Sequence, residues 1–298
     1  MAEPAEELQC IAATLQAGMS LAVDKPDETI EATARALWFA AAGQPRTIPR
    51  AVPPLPDLTE AQRAALRKLV ARRLAGEPLA YLTGRQDFLG LEFLTAPGAL
   101  IPRRETELLG NEALRLLGEL AAANASLKVL DLCTGSGNLA VAMASRFAQV
   151  EVWAADLEQA ALDVASANAR QHQVFDRVHC IRGDLFGALS GANAPPFDLI
   201  TCNPPYLTSR HAQNMPKEIG GSEPVAAFDG GPFGVAITLR LIRETPQYLR
   251  RGGWLCFELG AGQGALLEKR LRDAKVYGDI HTGVTPAGVI RALHGRLS

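Results

Sequence analysis

The sequence predicts an α/β protein in which a doubly wound, mostly parallel sheet follows a small all-helical domain. Two observations carry that expectation. From Leu127 onward, short apolar runs alternate with helical stretches, the pattern of strand, crossover helix and parallel strand. Before about Leu74 the apolar residues recur only at helical spacing, and β-branched runs are absent. With 298 residues the chain is long enough for one large domain or two ordinary ones, and 48% hydrophobic residues can fill a core.

In the N-terminal part, Leu8, Ile11 and Leu15 form one helical stripe. Ile30, Ala34, Leu37 and Ala41 form a second, and Ala65, Leu66, Leu69 and Val70 a third. Asp27 or Glu28 is expected to open the second helix and Gly43 to close it, while Thr59-Glu60 opens the third. The proline-rich run from Ile48 to Pro56 reads as an extended connector. Gln86 to Leu94 alternates as a β-hairpin turning at Gly90. The expected division is therefore a helical domain over 1–84, a hairpin linker over 85–100 and the sheet domain over 101–298.

The sheet domain opens with Ile101 to Glu107 leading into a helix that carries Leu108, Leu109, Ala113, Leu116 and Leu117. Strands are expected at Leu127 to Leu132, Val150 to Asp156, Val178 to Asp184, Phe197 to Cys202 and Gly253 to Leu259. Helices are expected at Leu139 to Phe147, Leu157 to His172 and about Gly234 to Leu249. Two short strands, Asp279 to Thr282 and Val289 to Leu293, fit an antiparallel hairpin at the sheet edge.

Composition narrows the function. Thirty Lys and Arg against 32 Asp and Glu leave a net charge of -2, so no overall field favours nucleic acid or an anionic membrane. The acidic start (Glu3, Glu6, Glu7) is unlike a signal peptide and no apolar run has membrane-spanning length, so the expected location is cytoplasmic. Cys10, Cys133, Cys180, Cys202 and Cys256 lack metal-like spacing and read as reduced thiols, four of them filling the core. His172, His179, His211, His281 and His294 lie at no ligand spacing, so no metal is expected. Arg72-Arg73 reads as a solvated helix face. Arg103-Arg104 is a basic pair able to steer an acidic partner or anchor a ligand carboxylate indirectly, and Trp153 and Trp254 read as core.

The chemistry concentrates at strand ends. Phe197 to Cys202 runs into Asn203-Pro204-Pro205-Tyr206, where neither proline can donate to a ladder, so the strand stops in a stiff polar turn. Ligands of open α/β sheets bind beyond such carboxyl ends. Asn203 brings an amide that accepts and donates, Tyr206 a flat ring with a hydroxyl, and Pro204 and Pro205 fix the backbone around them. That combination suits gripping a planar amide or amino group. Asp131-Leu132-Cys133-Thr134-Gly135-Ser136-Gly137 is a glycine loop between strand and helix, open to close approach by a ligand. Position 140 is alanine where a dinucleotide fingerprint has its third glycine, and a P-loop's Gly-Lys-Ser/Thr is absent. Asp131 suits a cationic amino group better than a pyrophosphate, which favours S-adenosyl-L-methionine over NAD. Asp156 can accept from both ribose hydroxyls of such a ligand, with Leu157 beside it. Asp184 can accept from the adenine amino group, with Leu185 and Phe186 against the ring. The alternatives are a helix cap for Asp156 and a turn role for Asp184.

Together with Gly76-Glu77-Pro78-Leu79-Ala80-Tyr81-Leu82-Thr83-Gly84, Ile101-Pro102-Arg103-Arg104-Glu105-Thr106-Glu107, Glu223-Pro224, Phe228-Asp229-Gly230-Gly231 and Phe257-Glu258-Leu259-Gly260, these segments resemble the HemK-type glutamine methyltransferases. The resemblance covers roughly residues 76 to 293. It implies a class I S-adenosylmethionine-dependent methyltransferase fold, Rossmann-like with a mostly parallel seven-stranded sheet, and a helical N-terminal domain that helps to recognise the substrate. It implies methylation of a glutamine side-chain amide nitrogen, in the Gly-Gly-Gln motif of peptide chain release factors, with S-adenosyl-L-homocysteine as product. No stable nucleic-acid or membrane partner is expected. On this reading the Asn203 oxygen and the Pro204 carbonyl accept the amide hydrogens and Tyr206 walls the pocket, while Asn203 also borders the cofactor.

Some residues depart from the family pattern. Arg104, Cys133 and Asn138 stand where the family usually has proline, glycine and a small or aliphatic residue, and Met215 to Glu218, Gly220-Gly221 and Ala226 to Asp229 differ as well. They keep open a paralogue acting on a ribosomal-protein glutamine or on a small-molecule amine or amide. A DNA adenine methyltransferase is opposed by the charge, and a non-catalytic cofactor-binding module by the intact Asn203 to Tyr206 turn. Glu258 stays undecided between a structural role and a place in the pocket.

Overall fold

The structure, a computed structural model, describes residues 4–19, 27–47, 53–191, 194, 196–214 and 223–298. The expectations placed on Glu3, on 48–52 of the proline connector and on 215–222 lie outside the described residues. The chain divides into two compact units, with a boundary between Pro97 and Gly98, so the hairpin belongs to the first unit.

The first unit contains helices α1 (Pro4–Gly18), α2 (Ile30–Ala41), α3 (Glu60–Leu74) and the short α4 (Leu79–Thr83), followed by strands β1 (Arg85–Phe88) and β2 (Leu91–Leu94). Thr29, rather than Asp27 or Glu28, caps α2, its hydroxyl accepting from Ala32 N at 3.2 Å. Thr59 and Gln62 form a reciprocal capping box that starts α3. Leu15, Leu37, Trp38 and Leu66 are the centre of this unit's core. The Arg72-Arg73 expectation is corrected: Arg73 is buried, donating to Glu77 O at 3.2 Å and facing Glu28 at 3.4 Å. Its carboxylate partner lies 45 residues away, out of reach of a local reading of charge.

The second unit holds a seven-stranded sheet in the order β5-β4-β3-β6-β7-β9-β8. These are β3 (Leu127–Leu132), β4 (Val150–Asp156), β5 (Val178–Arg182), β6 (Phe197–Cys202), β7 (Leu249–Glu258), β8 (Tyr277–Val284) and β9 (Ile290–Leu297). All pairings are parallel except β7 with β9 and β8 with β9. The chain steps outward from β3 to β4 and β5, then returns to the other side of β3 as β6. The switch point is thus between β3 and β6, where the glycine loop and the Asn203 turn emerge side by side.

Helices α5 (Thr106–Ala121), α6 (Asn138–Arg146), α7 (Gln159–Gln171), α8 (Ser209–Gln213), α9 (Ala236–Glu244) and α10 (Gly264–Asp273) complete the unit. The helix expected from Gly234 to Leu249 is shorter, because Pro246 sits in a separate turn at Thr245–Gln247 and β7 begins at Leu249. The edge strands are longer than expected, eight residues each. Helix α10 had no counterpart in the sequence reading: it buries only Gly264, Leu267 and Leu271, a stripe masked by Glu268, Lys269, Arg270 and Arg272.

Two cysteines, not four, are buried: Cys202 and Cys256; Cys133 and Cys180 are half-buried and Cys10 is exposed. Trp153, read as core, is half-buried, with its ring edge-to-face on Phe197 at 5.5 Å. His179 meets Glu151 across β4 and β5 at 2.6 Å, a pairing that sequence spacing did not suggest. No helix among the described residues is long and apolar enough to cross a membrane.

Candidate active site

A cavity of about 370 Å³ opens at the carboxyl ends of β3, β4 and β6. Its floor is the glycine loop, shaped by left-handed backbone at Cys133 (φ 54°), Gly135 (φ 55°) and Gly137 (φ 77°). A side chain at Gly137 would put Cβ 2.9 Å from Ala165 Cβ, so the loop packs bare backbone against α7. From α7 the buried Asn168 donates through Nδ2 to Ser136 O at 2.9 Å, holding the loop down. Gly135, by contrast, faces open space. Among the described residues the buried Ser136 hydroxyl has no hydrogen-bond partner, and Ser136 lines the cavity.

Asp131 does not line the cavity. It is fully buried, one carboxylate oxygen accepting from Thr134 Oγ1 at 2.6 Å and the other from Thr201 Oγ1 at 2.7 Å. Desolvation pushes its carboxyl up to about 6, against the pull of those two hydroxyls. It braces the loop against the sheet through these two hydroxyls.

Asp156 borders the cavity and accepts from Gly135 N at 2.8 Å and Glu158 N at 3.0 Å. Desolvation raises its carboxyl above the usual range, opposed by the backbone N–H groups of Glu158, Gly135 and Leu157. It therefore ties the loop to the segment leading into α7 at the edge of the cavity. Cys133, Thr134, Leu157 and Leu185 share the wall. Asp184 also borders the cavity, but its carboxylate already accepts from Arg240 Nη1 at 2.8 Å. Phe186, expected against a ligand ring, is instead buried and stacked on Tyr248 at 4.5 Å.

At the end of β6, Asn203 and Pro205 line the cavity, whereas Pro204 is buried beside them. Asn203 donates through Nδ2 to Thr106 Oγ1 at 3.1 Å, and among the described residues no donor meets its Oδ1. Tyr206 lies just outside the cavity lining. Its hydroxyl accepts from Arg291 Nη2 at 3.2 Å, and burial pushes it up to about 12. The turn is clamped from outside. Leu207 N donates to Phe228 O at 2.9 Å and Gly230 N to Leu207 O at 2.8 Å, and a Cβ at Gly230 would lie 2.5 Å from Pro205 O. Gln263 Nε2 donates to Tyr206 O and to Gly234 O, each at 3.0 Å.

Apart from Arg103, read as half of a basic pair, several residues of the site carried no assigned role in the sequence reading. Ile101, Arg103 and Thr106 line the cavity, and Glu223 secures that wall: its Oε1 accepts from Ile101 N at 2.8 Å while Oε2 pairs with Arg103. Asn138 at the start of α6 lines it too. The available signal was the set of quoted segments with no function attached, above all Ile101 to Glu107 and Glu223-Pro224. Glu258 is buried at the end of β7, 3.4 Å from Arg291 Nη2.

Comparison with known proteins adds an independent line. Residues 111–219 match the Methyltransferase small domain family, and residues 20–84 the PrmC N-terminal domain. The Release factor glutamine methyltransferase of Geobacter sulfurreducens is 38% identical over 240 residues, 80% of each chain. That of Bordetella pertussis is 40% identical, covering 80% of this chain and 84% of its own. That of Burkholderia pseudomallei is 37% identical, covering 89% and 91%. Among solved structures, the human METTL16 catalytic domain in complex with an RNA hairpin superposes with a TM-score of 0.54 at 18% identity, covering 77% of this chain and 82% of that one. The N-terminal domain of human METTL16 in complex with SAH gives 0.51 at 20% identity, covering 76% and 82%. At such identities these two likenesses speak for the fold.

Proposed function

The chain belongs to the release factor glutamine methyltransferase family, and from that premise we propose how its own residues carry the reaction. The enzyme methylates a glutamine side-chain amide of a release factor, with S-adenosyl-L-methionine as donor. Relatives of that name over most of the chain leave the paralogue, DNA adenine and binding-module readings without support.

When bound, the cofactor supplies an electrophilic methyl carried on a sulfonium. The cavity fits it on two counts, the buried Ser136 hydroxyl, unpartnered among the described residues, and the open approach to bare backbone at Gly135. Cys133, Thr134, Gly135 and Ser136 would cradle it, with Asp131 and Gly137 fixing the loop from behind. Asp156, beside Leu157, would accept from the ribose hydroxyls. Leu185 would pack on the adenine, and Asp184 would accept from the adenine amino group while sharing its charge with Arg240.

A primary amide nitrogen is a poor nucleophile because its lone pair is delocalised into the carbonyl. Asn203 Oδ1 and the Pro204 carbonyl accept the two amide hydrogens of the substrate glutamine, aiming negative potential where positive charge develops on nitrogen. The bound donor would give up its methyl to that nitrogen and leave as S-adenosyl-L-homocysteine, and the nitrogen would release one proton to solvent. Pro205 and Tyr206 shape the slot that holds the amide flat. The observation that carries this reading is Asn203 at the switch point, its amino group committed to Thr106 and its oxygen met by no donor among the described residues. We assign the acceptor glutamine to a Gly-Gly-Gln motif, substrate recognition to the helical region over 1–84, and the reaction to the cytoplasm.

The test is transfer of labelled methyl to a release factor. Asn203→Ala should lower kcat by about 100- to 1,000-fold while leaving affinity for S-adenosyl-L-homocysteine within about threefold, since only the transition-state grip is lost. An Asn203→Ala enzyme with undiminished turnover would remove Asn203 from the chemistry.

A further inference from the structure

The segment that clamps the Asn203 turn carries the most exposed large apolar side chain among the described residues, Phe233, at 83%. A single exposed phenylalanine is ordinary on a protein surface. What sets this one apart is the rigidity of its support and its place beside the chemistry.

Gly231 to Gly234 is a β-turn closed by Gly234 N donating to Gly231 O at 3.0 Å, with Pro232 and Phe233 at its two central positions and Pro232 fixing its own φ. Both ends are tied to the catalytic turn. Ser209 N donates to Gly231 O at 3.0 Å, and Asp229 Oδ1 accepts from Ser209 Oγ at 2.7 Å and from Gly231 N at 2.9 Å. At the other end, Gly234 fits so closely that a Cβ there would lie 2.4 Å from Tyr206 O. The ring of Phe233 therefore cannot retreat into the core without breaking the contacts that hold Tyr206 to Ser209. Along the chain this apolar rim leads back to the cavity: Pro224, Ala226 and Ala227 line it, and Val225 between them is 44% exposed.

We propose that Phe233 is a docking residue for the methyl-acceptor protein, its ring closing on the main chain beside the glutamine whose amide enters the Asn203 slot. The proposal rests on the functional reading above and adds to it a substrate surface outside the helical region over 1–84. A glutamine side chain can reach the slot only if the chain that bears it comes down on the rim, where its neighbours cross at about 3.3 Å per residue. Where those neighbours are glycines, no side chain intervenes, and the flat face of a ring can lie on bare peptide groups. Such a contact forms equally in the ground state and the transition state, so it acts on KM and not on kcat. A second copy of this chain would also cover an exposed ring, but it would not need the ring fastened to the catalytic turn.

The experiment compares wild type, Phe233→Ala and Phe233→Tyr for methyl transfer to a release factor, with kcat and KM determined separately. Alongside it, the release factor is titrated into each enzyme saturated with S-adenosyl-L-homocysteine. Phe233→Ala should raise both KM and the Kd for the release factor about 10- to 100-fold, the worth of burying a phenylalanine ring, with kcat and S-adenosyl-L-homocysteine affinity within about twofold. Phe233→Tyr keeps a flat ring and should stay within about threefold of wild type. Because the side chain is exposed, Tm should be unchanged in both variants, which separates lost docking from lost folding. Unchanged KM and Kd in Phe233→Ala would overturn the proposal, as would a loss confined to kcat, or a change in sedimentation with KM unaltered, the mark of a self-association surface. A wild type that binds the release factor without methylating it would instead overturn the functional reading, and the titration would still decide the role of Phe233.

Discussion

Asp131 shows what burial does to a single carboxyl. With 0% exposure and two hydroxyl donors, it is pushed up to about 6 from the ordinary 3.8. Because the folded state holds this proton more tightly than the unfolded chain, the group is least costly below the ordinary value. Stability is lost as pH rises toward the folded value and does not change further above it. The shift corresponds to about 3 kcal/mol. Asp131→Asn removes the titration, so wild type should lose about 3 kcal/mol relative to the variant between about pH 4 and pH 6.5. Urea unfolding at several pH values checks this, and a pH-independent difference would mean that the carboxyl is not desolvated. Asp184 makes the complementary point, since its pairing with Arg240 reaches 56 residues along the chain.

At the scale of an element, the glycine loop separates two uses of the same residue type. Gly137 is at φ 77° and a Cβ there would lie 2.9 Å from Ala165 Cβ and 3.1 Å from its Cα, so Gly137→Ala combines backbone strain with collision against α7. It should destabilise the protein by about 2–4 kcal/mol. Gly135 is also left-handed, at φ 55°, but faces open space. Gly135→Ala should cost only about 1–2 kcal/mol of stability. Its methyl would enter the cavity, so its main effect should be weaker S-adenosyl-L-homocysteine binding. Denaturation and titration calorimetry on both variants would separate the two, and equal stability losses would contradict the packing described.

At the scale of the whole molecule, the cavity depends on contacts that close long loops. Glu223 accepts from Ile101 N 122 residues away and pairs with Arg103, so it holds the wall that carries Thr106. Glu223→Ala leaves a largely buried guanidinium and a backbone N–H unpaired, and should cost about 3–5 kcal/mol. Glu223→Gln keeps an acceptor for Ile101 and should cost less. Cofactor affinity should fall in the same order, and affinity unchanged in Glu223→Ala would mean that this wall does not shape the binding site.

Much of this was legible in the sequence because the signals are local. A strand followed by two prolines, a glycine loop between strand and helix, and the alternation of apolar runs each depend on neighbours a few residues apart, and they determined the fold class, the β6 turn and the loop. Helix α10 was missed because its apolar stripe is only two leucines wide among charges, and Pro246 was passed over inside a helical pattern. What only the tertiary structure decided is which polar groups meet: Asp131 with Thr134 and Thr201, Asp184 with Arg240, Arg73 with Glu28, and Arg291 with both Glu258 and the Tyr206 hydroxyl. Hydrophobic periodicity records which face of an element is buried, but a buried charge finds its partner through strand order and loop closure, which no local pattern encodes.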